Sequence, residues 1–167
     1  MLATPRCALH EPTIADVPAI VTLMTHPEVR RYLGGPATEE RAAAYAAKVV
    51  NGKHPIAWTV HLRQNSAIGC VGLVQIAPHC DGFDIELSYE FHPMVWGAGI
   101  ASEAVRAVVA HALGPLGPTR LIAETQVDNR PSKRLLERVG MRYERGLKRF
   151  GATQAIYAME SLTSDYG

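Results

Sequence analysis

The stretch that most limits what this chain can fold into is a strand, a glycine turn and a helix between residues 83 and 112. Apolar and polar residues alternate from Phe83 to Phe91, and this period of two predicts a strand. Between residues 100 and 112 the apolar residues recur at helical spacing. Gly97 and Gly99 lie between the two segments, where glycine permits a tight turn and a close approach of the backbone to a ligand.

This turn is suited to bind a phosphate or a pyrophosphate. The first amides of a helix have no partner within the helix, and they point outward at its positive end. The alternative interpretation is that the Gly-x-Gly pair only turns the chain and binds no phosphate. A dinucleotide-binding fingerprint fits poorly, because Ser102 stands where the third glycine belongs and five residues separate the strand from Gly97.

Residues 92–104, above all the run from Trp96 to Ala104, resemble the phosphate loop of the GCN5-related N-acetyltransferases (GNAT family). They are most similar to the RimJ/RimL-type subgroup, which acetylates ribosomal-protein N-termini. The resemblance implies acetyl-coenzyme A as cosubstrate. Met94 departs from the family pattern, which has Gln or Arg there, so one side-chain contact is expected to be lost. The implied coenzyme-binding residues are Phe91, Met94, Val95, Trp96, Gly97, Ala98, Gly99, Ile100, Ala101, Ser102, Asn129 and Ser132.

The composition predicts a single globular domain over residues 1–167, because 47% of the residues are hydrophobic. A net charge of +1 without a basic run gives no indication of a nucleic-acid partner. No signal-peptide pattern and no membrane-spanning apolar run, which takes about 18 residues, is present in the sequence. Cys7, Cys70 and Cys80 show neither a metal pattern nor a disulfide framework, which favours a cytoplasmic protein.

The order of the predicted elements indicates an α/β (α+β) fold. The resemblance implies a mixed, mostly antiparallel central sheet of about six to seven strands with helices on both faces. A doubly wound dinucleotide-binding sheet is disfavoured, because too little chain follows Gly99. The predicted strands are 6–10, 56–62, 68–76, 83–91, 120–127, 141–144 and 154–161, and the predicted helices are 13–24, 28–33, 38–48, 100–112 and 129–139.

Glu86 is the first candidate for a general base. Asp84, Glu86, Ser88 and Glu90 share one face of the predicted strand, and an acidic face on a central strand suggests a polar cavity. A solvated face, or a contact to the amine or to water, is the alternative. Glu86 also resembles the Glu of the family's Glu-x-x-Tyr pattern. Transfer to an amine needs such a base, since an ammonium has no lone pair.

Ser132 is the candidate proton donor to the sulfur of coenzyme A. Residues 129–141 resemble the last helix of the GNAT family, and Ser132 is similar to the Ser proposed for this role in the RimJ/RimL type. Many relatives use a Tyr four residues later, where this chain has Leu136. Ser is also common in a first helical turn. Asn129 is expected to cap this helix, and Glu124 is a second candidate base.

The acceptor is left open as a protein N-terminus or a small-molecule amine. Residues 149–152 lack an acid that the ribosomal enzymes are expected to have, which weakens a ribosomal substrate. A non-catalytic module that binds and senses acyl-coenzyme A is the alternative function. The seven histidines, His54 among them, show no metal-ligand spacing, and no Gly-x-Ser-x-Gly elbow is present in the sequence. A homodimer is compatible with the family.

Overall fold

The computed structural model describes residues 1–52 and 55–161, so His54 lies outside the described residues. The predicted mixed α/β fold is confirmed, with eight strands among the described residues rather than about six to seven. The helices are α1 (Val17–Thr25), α2 (Glu39–Val50), α3 (Ile100–Leu113) and α4 (Arg130–Arg138). The strands are β1 (Leu2–Ala3), β2 (Cys7–His10), β3 (Ile56–Leu62), β4 (Cys70–Pro78), β5 (Ile85–Phe91), β6 (Arg120–Gln126), β7 (Arg142–Arg149) and β8 (Ala152–Glu160).

Within residues 1–52 and 55–161 the sheet has one parallel pair of strands, β5 and β6, and a gap opens beside it. The strand order is β1-β2-β3-β4-β5-β6-β8-β7, with every neighbouring pair antiparallel except β5 and β6. A parallel pair requires a crossover, which here contains α3. The register of β5 and β6 consists of Glu86 opposite Ile122. Beyond that point both strands continue without pairing to each other, so a gap opens between their carboxyl ends.

Helices cover both faces of the sheet, as expected. On one face α1 and α2 pack through Ile20, Leu23 and Val49 against Leu73 of β4. The next residue of β4, Val74, belongs to the core under α3 and α4 on the opposite face. This alternation is the period of two that a strand imposes. Within the described residues, no helix is long and apolar enough to cross a membrane.

The prediction of a short helix over residues 28–33 is wrong, because these residues form consecutive turns. Their hydrogen bonds include Arg31 N to Glu28 O at 3.4 Å and Leu33 N to Arg30 O at 2.9 Å, which each span three residues. The Arg30 guanidinium also donates to the carbonyl oxygen of Leu33 at 2.7 Å. The two glycines that follow have left-handed backbone conformations. These hydrogen bonds and glycines together leave no regular series of carbonyl acceptors on which a helix could continue.

Other boundaries differ because side chains compete for backbone groups. The strand predicted from Phe83 begins at Ile85, since the Asp81 carboxylate accepts a hydrogen bond from Phe83 N at 3.0 Å and holds a turn. The strand predicted to end at residue 144 continues to Arg149 as the outer partner of β8. The short β1 was not predicted. The predicted cap at Asn129 is confirmed, because its Oδ1 accepts from Ser132 N at 3.3 Å.

Candidate active site

A cavity of about 580 Å³ occupies the gap between β5 and β6. Both faces of β5 contribute to its wall, because the strand has left its neighbour at this point. The amino end of α3 and α4 form one end of the cavity, and the turns at residues 28–33 form the other. A single space therefore connects the glycine loop with the acidic face of β5.

The glycine loop has the backbone conformation that a phosphate site needs. Gly97 and Gly99 have φ values of 72° and 78°, in the left-handed region that favours glycine. Gly99 is the residue before α3, so the first amides of this helix are free of helical partners and face the loop. A Cβ built on Gly97 would meet no protein atom within 4 Å. The space beside this residue is open to a ligand.

The amino-terminal segment braces this loop, which the sequence did not indicate. The Arg6 guanidinium donates to Ala98 O at 2.7 Å and to the Glu103 carboxylate at 2.6 Å, and Thr4 donates to the same carboxylate. Burial alone would raise the pKa of Glu103, but the hydrogen bonds from Thr4 and Arg6 outweigh it and lower the pKa. Because Arg6 neutralises this first-turn acid, the amino end of α3 keeps its attraction for an anion.

Most of the residues predicted to bind the coenzyme surround the cavity. Met94 lies outside it and is half-exposed, while Ile100 packs into the core and the Ala98 carbonyl faces Arg6. The Trp96 indole donates to Phe91 O at 2.8 Å and fixes the loop to the end of β5. The predicted residues that line the cavity are Phe91, Val95, Trp96, Gly97, Gly99, Ala101, Ser102, Asn129 and Ser132.

Glu86 lies on the wall of the cavity with an unpaired carboxylate. Within residues 1–52 and 55–161, no protein group hydrogen-bonds to it, and burial raises its pKa. A raised pKa brings a carboxylate closer to the range in which it exchanges protons near neutral pH. Asp84 was predicted on the same acidic face as Glu86. Unlike the Glu86 carboxylate, its carboxylate is paired, because it accepts a hydrogen bond from Arg120 at 3.0 Å.

Glu124 faces the same cavity from β6 but is already engaged. The Arg149 guanidinium donates to both of its oxygens, one at 3.1 Å, and His79 Nε2 lies 2.9 Å from Oε2. The other nitrogen of His79 lies 2.8 Å from Asp81. Burial alone would raise the pKa of Glu124, yet the hydrogen bonds from Arg149 and His79 lower it. Glu124 is therefore a weaker base than Glu86, and Arg149 and His79 were not predicted from the sequence.

The far wall holds a second ion pair and two unpaired polar atoms. Arg30 donates to Glu90 Oε1 at 2.5 Å, which ties the turns at residues 28–33 to β5. Tyr45 donates to Gln75 Oε1 at 2.8 Å. The remaining atoms, Gln75 Nε2 and Glu90 Oε2, are buried without a hydrogen-bond partner in the described part of the chain. Buried polar atoms of this kind indicate that the wall is arranged for something besides its own packing.

Ser132 lines the same cavity as Glu86 and lies in the first turn of α4. Asn129 caps this turn, and the hydroxyl of Tyr89 lies 2.7 Å from Ser132 Oγ. Burial raises the pKa of Tyr89, which keeps its phenol protonated. Leu136, one turn after Ser132, also lines the cavity and offers no proton. The sequence placed Tyr89 on the apolar face of the strand and in the Glu-x-x-Tyr pattern, but it did not indicate the contact with Ser132, which is 43 residues away in the sequence.

Asp16, His61 and Cys70 place donor atoms within 4.8 Å of one another, away from this cavity. Sequence spacing did not indicate the cluster, since its members come from three separate elements. His61 Nε2 lies 3.1 Å from Asp16 Oδ1, and Thr13 N donates to Asp16 Oδ2 at 2.8 Å. The Cys70 thiol donates to Gly72 O at 3.2 Å, and burial raises its pKa to about 11. Protein hydrogen bonds thus satisfy all three side chains without an ion.

Comparison with known proteins agrees with this geometry. The chain is 31% identical over 156 residues to the uncharacterised N-acetyltransferase YoaA of Bacillus subtilis, covering 90% of this chain and 87% of YoaA. A GNAT-family acetyltransferase of Bacillus anthracis superposes with a TM-score of 0.83 at 24% identity, covering 96% of this chain and 98% of that protein. The spermidine N-acetyltransferase of Vibrio cholerae, solved with coenzyme A and spermine, gives a TM-score of 0.79 at 15% identity, with coverages of 95% and 97%.

The sequence profile of the acetyltransferase (GNAT) domain matches residues 6–142, which include the glycine loop, both candidate bases and Ser132. Acetyl-coenzyme A is the cosubstrate of this family. The open glycine loop at the amino end of α3 is compatible with an anionic group. The loop and the residues that line the cavity thus lie within one matched domain, and the chain belongs to the GNAT family of acetyltransferases.

Proposed function

We propose that this protein transfers the acetyl group of acetyl-coenzyme A directly to a primary amine. In this proposal Glu86 takes the proton of the amine, directly or through water, and the Ser132 hydroxyl donates to the departing sulfur. The nitrogen–carbon bond forms as the carbon–sulfur bond breaks, and the electron pair of the broken bond stays on sulfur. Backbone amides at the end of β5 would polarise the thioester carbonyl.

The observation that supports this function best is the continuity of the cavity. The phosphate loop and the unpaired Glu86 carboxylate open onto one space of about 580 Å³. A thioester that extends from the loop along α4 would bring its acetyl group between Ser132 and Glu86.

The acceptor that we propose is a protein N-terminus or a small-molecule amine. Similarity to the RimJ/RimL-type subgroup rests on residues 92–104 and on Ser132, and it favours an N-terminal amine. Arg149 stands in the stretch that lacks the expected acid, and its guanidinium is paired with Glu124. The spermidine enzyme of Vibrio cholerae, which shares the fold, makes a polyamine the natural second class to test.

A screen of thiol release from acetyl-coenzyme A tests the function. The panel should contain N-terminal peptides, polyamines, aminoglycosides and amino acids, with the blocked N-acetylated form of each hit as the matched control. We expect amine-dependent release for one class and none for its blocked form. Release that never exceeds slow hydrolysis with any amine, despite coenzyme binding, would contradict the proposal.

Binding of the coenzyme is measured separately by thermal shift. A ligand that binds only the folded state adds about 2.7 kcal/mol of stability at a hundredfold excess over its dissociation constant. Acetyl-coenzyme A and coenzyme A should both raise the melting temperature, whereas NAD should not. A cytoplasmic location and a homodimer stay predictions, and light scattering of the purified protein decides the second.

A further inference from the structure

We propose that Tyr89 is a positioning residue that aims the Ser132 hydroxyl at the leaving sulfur. This inference rests on the proposed function and concerns a side chain on the wall opposite α4. Tyr89 and Ser132 both line the cavity, and their hydroxyl oxygens are 2.7 Å apart. A distance of 2.7 Å is the usual length of an O–H···O hydrogen bond.

The direction of this hydrogen bond follows from the acidity of the two hydroxyls. A phenol is far more acidic than an aliphatic alcohol, so in a pair of hydroxyls the phenol is the better donor. The Ser132 carbonyl oxygen is a poorer target for the Tyr89 proton, since it lies 3.5 Å away. Tyr89 therefore donates to Ser132 Oγ, which leaves the proton of Ser132 free to face the cavity.

A free serine hydroxyl rotates among three staggered positions, and only one of them can face a given acceptor. The hydrogen bond from Tyr89 occupies one lone pair of Ser132 Oγ and removes the rotamers in which the serine proton would face Tyr89. Burial raises the pKa of Tyr89, so this restraint persists throughout the neutral pH range. Preorganised donors of this kind stabilise charge that develops in the transition state.

The restraint comes from β5 because α4 itself does not supply it. Leu136 lies one turn after Ser132 on the same helix face, and its side chain has no donor. The Asn129 side chain is occupied by the amide of Ser132 at 3.3 Å. Tyr89 also packs against Phe91, with ring centroids 6.4 Å apart, so its ring is fixed before any substrate binds.

In the step concerned, the amine nitrogen bonds to the acetyl carbon and loses its proton to Glu86 or to water. The carbon–sulfur bond breaks, and its electron pair stays on sulfur as a thiolate. That sulfur accepts the hydrogen bond of Ser132 while the charge develops, and it then takes a proton from solvent. Tyr89 changes no bond and only fixes the donor.

The test is a double-mutant cycle of Tyr89→Phe and Ser132→Ala, with Ser132→Thr as the conservative variant that keeps a hydroxyl. We expect Tyr89→Phe to lower kcat about 10-fold, the scale of one lost hydrogen bond of about 1.4 kcal/mol, with KM for acetyl-coenzyme A within about twofold. The double variant should be no slower than Ser132→Ala, because Tyr89 acts only through Ser132. Ser132→Thr should retain most of the activity.

Two further measurements separate this inference from the proposed function. Acetyl-coenzyme A hydrolysis without an amine releases the same thiolate, so the Tyr89→Phe deficit should appear there even if no acceptor is found. The deficit should also be constant across the neutral pH range, unlike that of a base variant. Tyr89→Met, which also removes the hydroxyl, should give the same fold-change if Tyr89→Phe does not fold.

The role of Tyr89 would be overturned, without affecting that of Ser132, by either of two results. One is a turnover loss in the double variant equal to the product of the two single losses, and the other is wild-type turnover in Tyr89→Phe. A normal Ser132→Ala would remove the role of Ser132 and this inference with it, while leaving acetyl transfer itself in place. A parallel fall in melting temperature and coenzyme affinity with unchanged kcat would identify Tyr89 as a packing residue.

Discussion

The two ends of the cavity are built in different ways. The coenzyme end, as we name the end at which the coenzyme is proposed to bind, consists of backbone, with two left-handed glycines and the free amides of one helix turn. The acceptor end, where the amine is proposed to bind, consists of side chains, and their state depends on partners that come from distant parts of the chain. A backbone site is sensitive to added volume, whereas a side-chain site is sensitive to lost charge and lost partners. Substitutions at the two ends should therefore fail in different measurements.

The same contrast recurs within the acceptor end, between Glu86 and Glu124. Both carboxylates face the cavity, but only Glu124 has Arg149 and His79 as partners. Their environments move the two pKa values in opposite directions, upward for Glu86 and downward for Glu124. Two acids separated in this way commonly divide into a proton-transfer group and a structural group.

The largest expected effect is the loss of turnover in Glu86→Gln. Removing a general base typically lowers turnover by about 10² to 10⁴-fold, and the amide keeps the size of the side chain. Coenzyme affinity and the fold should be unchanged. The deficit should shrink at high pH, where more of the amine is already neutral. Steady-state rates against pH, with the acceptor from the amine screen, measure both effects.

Glu124→Gln is the matched variant for this experiment. It removes an equal charge from the same cavity, so a general electrostatic effect would reduce both rates similarly. We expect a much smaller change in turnover and a lower free energy of unfolding, because Arg149 loses a charged partner. If Glu86→Gln and the wild type have equal turnover at every pH, Glu86 is not the general base, and the proposed difference in role between Glu86 and Glu124 is wrong.

The second prediction concerns the coenzyme end, where Gly97→Val should lower affinity for coenzyme A by about 10-fold or more. A β-branched residue in the left-handed region costs about 1–3 kcal/mol in strain, and its side chain would enter the space of the pyrophosphate. Gly117 is the control, since it has a φ of 87° and, like Gly97, no atom within 4 Å of a built Cβ. Gly117→Val carries similar strain outside the cavity.

Calorimetric titration of coenzyme A into both variants gives the answer, alongside their melting temperatures. If Gly97→Val and Gly117→Val lose similar stability but only Gly97→Val loses affinity for coenzyme A, the result would support a phosphate-binding role for the loop. If both variants bind coenzyme A as the wild type does, Gly97 only turns the chain.

The glycine turn before α3 and the cap of α4 could be predicted from the sequence because their determinants are local. Gly97, Gly99 and the cap at Asn129 each act within a few residues, so spacing alone identifies them. The motif resemblance depends on the same short segments. The predicted helix over residues 28–33 was wrong because the Arg30 side chain, bonded to Glu90 sixty positions away, holds a different turn.

The acceptor end was not predictable in the same way. The Arg149–Glu124–His79 network joins β7, the turn after β4 and β6, and the Tyr89–Ser132 pair joins β5 and α4. These contacts join residues that are far apart in the sequence, so they depend on how the strands and α4 are arranged in the fold. The alternation of β5 correctly indicated a cavity beside Glu86, Ser88 and Glu90, which all line it. It could not indicate which of the acids would find a cation.

The third prediction is an opposite dependence of stability on pH for the two acids. Because burial raises the folded-state pKa of Glu86, ionising it disfavours the folded state. Relative to Glu86→Gln, the wild type should lose stability as pH rises from about 4.3, the ordinary value, through the raised pKa. Relative to Glu124→Gln, it should lose stability as pH falls from that same value through the lowered pKa.

Urea unfolding of the three proteins at a series of pH values measures these differences. The comparison uses differences between wild type and variant, so all other titrating groups cancel to first order. Parallel curves for Glu86→Gln and wild type would show that the Glu86 carboxylate is as well solvated in the folded state as in the unfolded one.

The smallest expected effect belongs to Met94→Ala, at the position where the chain departs from its family. The Met94 side chain is 54% exposed, and it lies outside the cavity that the coenzyme is proposed to fill. The Met94 amide donates to His92 Nδ1 at 3.3 Å, a backbone contact that alanine retains. Affinity for coenzyme A should change by less than about twofold, and stability by no more than about 0.5 kcal/mol, as for most surface substitutions.

Titration of coenzyme A into Met94→Ala beside Gly97→Val checks this directly, because both residues belong to one loop and only the second faces the ligand. A tenfold loss of affinity for coenzyme A in Met94→Ala would mean that the loop binds through side chains as well as backbone. The two ends of the cavity would then both depend on side chains.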